Sequence, residues 1–175
     1  MANVTRLRRI EDRDRIFFVT TNIARGIAVF TPAERDLMPA VLDQHRQRGD
    51  FLLFGYVVMP SHLHLLVSPQ KQGLIRVMRD LKSKTGFDIT RRRKIHGPIW
   101  QERYFDNIIR RVRDFWQKLE YIRRNPVEAG LVGNPEEWKW SSYRQIANKA
   151  GGPIEVDPVD FPADGDHLLW PATWR

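Results

Sequence analysis

Two histidines, His62 and His64, stand one residue apart in the apolar segment VVMPSHLHLLVSP, residues 57–69. Imidazole is costly to bury without a partner, and in its neutral form it is a common metal ligand. Side chains alternate along a strand, so both rings project from one face, about 6.6 Å apart along the backbone. Leu63, Leu65 and Val67 then point into core. That spacing lets two ring nitrogens reach one divalent ion with room for further ligands. Two satisfied histidines on a half-exposed sheet would explain the same pattern. Two histidines cannot close a metal site, so a third ligand has to come from elsewhere.

A second group of candidates lies on the helix DFWQKLEYIRR, residues 114–124. Phe115, Leu119 and Ile122 form its core stripe, and Tyr121 falls roughly 130° from the centre of that stripe. Asn125 follows four residues later, on nearly the same face. A phenol and an amide oxygen therefore point together, away from the main packing surface. The ordinary explanation for Tyr121 is a packed ring with a wet hydroxyl. For Asn125 it is the N-cap of a short helix starting at Pro126. Capping and metal binding compete for one oxygen.

The elements that must position these groups follow from periodicity and punctuation. Residues 15–22, RIFFVTTN, have strand composition. Thr31-Pro32 opens a helix, with Thr31 as N-cap, that runs to about Arg48 before Gly49. Residues 51–59 are almost continuously apolar, as in a strand buried on both faces, and Pro60-Ser61 turns the chain into the His62–Ser68 strand to make a hairpin. Residues 71–94 form a helix with Leu74, Val77, Met78, Leu81 and Thr85 at helical spacing, which Gly86 can interrupt. Gly97-Pro98 breaks the chain, residues 104–110 give a fourth strand, and Trp138, Trp140 and Tyr143 lie in a further short segment. Strand, helix, paired strands, helix, strand, helix is the order of an α+β antiparallel sheet with helices on one face. Residues 1–150 make one domain and 151–175 an extended, acidic, Pro-rich C-terminal tail.

Of 175 residues, 29 are Lys or Arg and 21 Asp or Glu, a net charge of +8, and there is no cysteine. Disulfides, thiolate catalysis and Cys-based zinc sites are thereby excluded, and a reducing cytoplasm is the expected compartment. The N-terminus has no apolar core of a signal peptide, and the longest apolar run is too short to span a bilayer, so no membrane partner is expected. Nine of the basic residues against two acidic ones fall in Lys71–Lys94, an excess of +7. So concentrated a charge suggests a polyanion, nucleic acid being the commonest. Five acids and one base fall in 151–175, which makes that tail a candidate cover for the basic site.

GYVVMPSHLHLLVSP, PIWQERYFDNIIR and YIRRNPVEAGLV, in this order and spacing, resemble the REP-associated tyrosine transposases. These are single-tyrosine HUH nucleases, named for His, a hydrophobic residue and His. The resemblance covers roughly Arg15 to Tyr143. It implies a ferredoxin-like antiparallel sheet with the histidine strand at its centre. It also implies metal-dependent cutting and rejoining of single-stranded DNA beside palindromic hairpins, through a 5′-phosphotyrosine, in the cytoplasm at the nucleoid. Carried over position by position, His62 and His64 match the histidine ligands, Tyr121 the nucleophile and, less directly, Asn125 the remaining ligand. Gln117 and Glu120 stand as substitutes for Asn125. Departures are Ser61, where Asn is frequent, Asn107, where His is common, and Glu128-Ala129, where Lys-His is frequent.

Mg²⁺ or Mn²⁺ is the expected ion. Histidine ligands lean toward Mn²⁺, and abundance favours Mg²⁺. The DNA-binding expectation falls on Arg76, Arg79, Lys82, Arg91, Arg92, Arg93 and Lys94, on Arg6, Arg8 and Arg9, and on Tyr104 as a stacking ring. Core packing is the better expectation for Trp100 and Phe105. A homodimer, with Tyr121 serving the partner's histidines, suits the sequence as well as a monomer. Two other classes compete: a hairpin-binding regulator of DNA or RNA without catalysis, and a small His-metal phosphoester hydrolase. Lack of acidic ligands near HLH counts against the hydrolase.

Overall fold

The computed structural model describes residues 15–147, 152–159, 161 and 169. Strand β1 is Phe17–Asn22, helix α1 Pro32–Gln47, β2 Phe51–Val58, β3 His62–Pro69, helix α2 Leu74–Arg93, β4 Phe105–Ile108 and helix α3 Val112–Glu128. A 3₁₀ turn at Pro135–Glu137 and a single helical turn, α4, at Tyr143–Ile146 follow. The strands form one antiparallel sheet in the order β2-β3-β1-β4. This is the expected α+β, ferredoxin-like sheet with the histidine strand inside it, but the helices cover both faces of the sheet rather than one, because α3 carries its own apolar stripe.

Helix α1 begins where the sequence indicates. Thr31 and Glu34 form a capping box, and the Glu34 carboxylate accepts from the Thr31 amide at 2.8 Å. The same buried carboxylate takes two bonds from Arg93 at 2.6 Å, so the start of α1 is tied to the end of α2. Both helices pack on the sheet face to which Leu63, Leu65 and Val67 project, and all three side chains are buried. Gly86 does not interrupt α2.

Helix α3 covers the opposite face. A bulge in β2 prepares its seat: Leu53 pairs with Val67 and Gly55 with the adjacent Leu66, leaving Phe54 as the extra residue. Phe54 and Gly55 both end up under α3, where Phe54 meets Phe115 edge-on at 5.6 Å. A Cβ added at Gly55 would lie 2.7 Å from Leu119 Cδ2 and 3.4 Å from Ile122 Cδ1. Absence of a side chain at Gly55 is therefore what lets the helix settle onto the sheet.

The outer edge of β2 is covered. Trp138 donates to Val58 O at 3.0 Å, the Val58 amide donates to Trp140 O at 2.8 Å, and Ser142 N donates to Tyr56 O at 3.0 Å. The Arg35 guanidinium lies over both indoles, 4.9 Å from Trp138 and 3.9 Å from Trp140. Beyond Gly151 the described residues pack on the domain without regular secondary structure. Asp157 exchanges bonds with the backbone of Leu53 and pairs with Arg46 at 2.9 Å, while Phe161 packs on Phe115 at 5.2 Å. The charge of Asp157 is therefore engaged on α1 rather than over Lys71–Lys94.

Gly55→Val tests the seat of α3. Overpacking against Leu119 and Ile122 is expected to cost about 1–3 kcal/mol, read as a lower urea midpoint at unchanged slope.

Candidate active site

Strand alternation puts His62 and His64 on the α3 face of the sheet, their ring centroids 4.7 Å apart at 74°. His64 is almost wholly buried and stacks on Phe18 at 5.3 Å. Its Nδ1 lies 2.8 Å from Thr20 Oγ1, and its Nε2, also buried, has no partner among the described residues. When Nδ1 donates its proton to the threonine, the bare lone pair at Nε2 faces the site. Burial, reinforced by charge on His62 and Lys118, pushes the His64 pKa down to about 3. His62 is lowered as well, mainly by burial, with an Asn125 hydrogen bond acting in the opposite sense. Both rings are thus held neutral, the form that ligates a metal.

Asn125 is not a helix cap. Helix α3 continues through Pro126 to Glu128 as a single helix, so the expected second helix is absent. The proline falls in the last turn, where one missing amide bond can be tolerated, and the helix closes with Ala129 N donating to Asn125 O at 3.0 Å. Freed from capping, the Asn125 side chain is buried beside the His62 ring, whose charged form it favours against the effect of burial.

Tyr121 and Asn125 lie off the main packing stripe, as expected, but over neighbouring strands rather than open solvent alone. The stripe Phe115, Leu119 and Ile122 is seated toward β2, so the flank of the helix overhangs β3 and β1. The Tyr121 ring meets His64 edge-on at 5.2 Å and Phe18 at 5.8 Å, with 41% of the residue exposed. Phenol, both imidazoles and the amide belong to one chain. Lys118, one turn before Tyr121, holds its Nζ 4.6 Å from the Phe18 ring and 5.9 Å from that of Tyr121. No carboxylate among the described residues pairs with it. Of the substitutes for Asn125, Glu120 is ion-paired with Arg123, and Gln117 is exposed.

With His64 Nδ1 donating to Thr20, three neutral donors fit a divalent ion: His64 Nε2, the His62 ring, whose Nδ1 lies 3.2 Å from Ser61 Oγ, and the Asn125 amide. Among the described residues no group of three His, Asp or Glu could hold an ion, so these donors are neutral.

This fold has its counterpart among known proteins. Residues 17–125 match the family described as "Transposase IS200 like". The chain belongs to that family. An Escherichia coli (strain K12) REP-associated tyrosine transposase is 26% identical over 158 residues, 87% of this chain and 92% of that protein. A Haemophilus influenzae protein provisionally given the same name is 28% identical over 120 residues, 62% of this chain and 65% of that one. A solved structure of a REP-associated tyrosine transposase bound to a REP hairpin superposes with a TM-score of 0.67 at 21% identity, covering 97% of this chain and 100% of that one. At that identity the likeness speaks for the fold.

The basic residues of this transposase-family chain are dispersed. Helix α2 lies across the sheet from Tyr121. Arg76 and Arg79 share Asp80, at 3.0 and 3.7 Å. Lys82 donates to the carbonyls of Gln101 and Glu102 at 2.6 and 2.8 Å, lies 5.9 Å from the Tyr104 ring, and has its pKa lowered by burial. Arg93 is committed to Glu34 and to the carbonyls of Ala28 and Val29. Arg91, Arg92 and Lys94 are exposed. Arg6, Arg8 and Arg9 lie outside the described residues. Trp100 is buried and donates to Thr85 at 2.9 Å, as a core residue should. Phe105 is not core: it is 71% exposed.

Thr20 and Lys118 escaped the reading of the sequence. Strand alternation through Phe18, Thr20 and Asn22 was the signal for the first, and the three-residue interval to Tyr121 for the second. No helix among the described residues is long and apolar enough to cross a membrane.

The neutral state of His64 has a consequence for stability. Its folded pKa lies below the ordinary 6.5, so the unfolded chain binds the proton first and stability falls as pH drops below about 6.5. Without divalent ions, acidification from about pH 7 to 5 should remove about 2 kcal/mol through this one group. Urea unfolding at both values, compared with His64→Gln, checks the loss; equal pH dependence in the variant would contradict it.

Proposed function

We propose that this chain cuts and rejoins single-stranded DNA beside hairpins, with Tyr121 as nucleophile. The observation that carries the reading is the convergence of the Tyr121 ring, the bare His64 nitrogen and the His62–Asn125 pair on one face of a single chain. The named E. coli relative and the hairpin-bound structural neighbour support the choice of substrate.

Tyr121 Oη attacks phosphorus, the bond from phosphorus to the 3′ oxygen breaks, and the 5′ phosphate stays on the tyrosine. The phenol proton leaves to solvent, to which Tyr121 is open, and the departing 3′ oxygen takes one up. Phenol is a usable nucleophile and a fair leaving group, so another 3′ hydroxyl can reverse the step without ATP. His62, His64 and Asn125 would hold Mg²⁺ or Mn²⁺, which when bound polarises the phosphate and stabilises the departing oxygen. Because these donors are neutral, the phosphate supplies the balancing negative charge. Lys118 faces the same phosphate and lies beside Tyr121, where negative charge grows on the oxygens. Arg91, Arg92 and Lys94, on the far face, are left for the duplex stem.

The direct test is incubation with labelled hairpin DNA from the flanks of the protein's own gene, with Mn²⁺ or with EDTA, followed by a denaturing gel. A metal-dependent covalent adduct that disappears in Tyr121→Phe is the expected result. A retarded complex in a native gel without any adduct would make the chain a hairpin-binding regulator.

Two variants separate chemistry from holding. Lys118→Met should slow single-turnover cleavage by about ten- to a hundredfold while hairpin affinity stays within about twofold. The triple change of Arg91, Arg92 and Lys94 to Gln should weaken affinity and flatten its salt dependence, with cleavage at saturating protein unchanged. The opposite pattern would reverse both assignments.

A further inference from the structure

Phe105 is the most exposed large hydrophobic residue among those described, at 71%. It sits on β4 directly opposite Thr20, and opposed residues of an antiparallel pair share a face. Thr20 holds His64, so the Phe105 ring projects on the catalytic face, two strands and about 10 Å from the histidine strand. Asn107, also exposed, stands on the same face opposite Phe18. Asp106, between them, is opposite Val19 and faces the other way. No aromatic ring among the described residues stacks on Phe105.

Between β4 and α3, Phe18 and Thr20 of β1 face this side, with Lys118 and Tyr121 along the helix and Phe105 with Asn107 along the strand, and these residues outline a trough. Arg103 and Arg110 are exposed at the two ends of the β4 segment. A polyanionic strand fits a trough with cations at its ends and along one wall, and an exposed phenyl on the other wall fits a nucleobase face.

We propose that Phe105 is the platform on which an unpaired base next to the scissile phosphate stacks, so that β4 holds the single-stranded flank while Tyr121 attacks. This rests on the hairpin-cleavage reading above and adds a positioning residue to it. Stacking on a phenyl is tolerant of sequence; the neighbouring Asn107 amide can bond base edges.

The test uses Tyr121→Phe protein, which holds the uncleaved complex, and two hairpins, one with a short single-stranded flank carrying 2-aminopurine and one without a flank. Adding Phe105→Ala should weaken binding of the flanked hairpin by about tenfold, relieve the quenching of 2-aminopurine, and leave the flankless hairpin unaffected. Phe105→Trp should restore both readouts, and Phe105→Leu, apolar but not aromatic, should not. Because the ring is exposed, the variants should unfold at the temperature of the parent. Equal affinity in Phe105→Ala, equal loss for both hairpins, or full rescue by Leu would overturn the proposal. If the chain with Tyr121 and Phe105 intact forms the covalent adduct and Phe105→Ala binds as its parent does, only this inference falls. If the intact chain binds no hairpin, the functional reading falls and takes this one with it.

Discussion

The close approach of α3 to Gly55 is the constraint on which the site depends. A side chain there would meet Leu119 at 2.7 Å, and the helix would have to ride higher over β2. Tyr121 and Asn125 lie on the flank that overhangs β3, so any lift of the helix is passed directly to their distance from the histidines. The bulge at Phe54 belongs to the same device. It turns two consecutive residues toward α3, one supplying an aromatic contact for Phe115 and the other supplying space. Packing of an ordinary apolar stripe thereby sets the geometry of four polar groups that contribute little to that packing.

The electrostatics of the site are as economical as its packing. Burial keeps His64 neutral, and when its Nδ1 donates to Thr20 the ring presents a lone pair rather than a proton at Nε2. A carboxylate in this place would bind a cation more tightly and would also repel the incoming phosphate. Among the described residues, neutral donors and the Lys118 ammonium line the site, and that local field favours an anion such as a phosphodiester. Such a site suits a reaction whose substrate completes the charge balance and whose intermediate must be reversible.

Much of this was legible in the sequence, and the gaps have physical causes. Thr31 with Glu34, the near-continuous apolar run 51–59 and the HLH alternation each specify one local conformation, so strand and helix positions followed. What periodicity cannot give is which side of a helix meets which strand. The 130° offset of Tyr121 shows only that it lies off the stripe, whereas a helix seated toward one strand of a sheet overhangs the next. Asn125-Pro126 looked like a cap because Pro more often opens a helix than ends one, and nothing local signals that the helix continues through it. Arg93 reads as one more cation in a basic run until its bond to the buried Glu34, 59 residues away, is visible. Phe105 reads as core by residue type, and only the sheet order shows it on an exposed edge.

The basic helix and the groups proposed for catalysis are on opposite faces of one sheet, and on that reading the arrangement limits how a substrate can lie. A single-stranded segment in the trough of β4 and α3 cannot also touch Arg91, Arg92 and Lys94 without passing around the sheet. A hairpin is a duplex joined to a single strand, and it can meet the two faces with two different parts. The outer edge of β2 is covered by Trp138, Trp140 and Asp157, whereas β4 is the short strand at the other end of the sheet order. On the proposed reading, the exposed Phe105 on this edge strand stands where a strand would turn from the stem toward Tyr121.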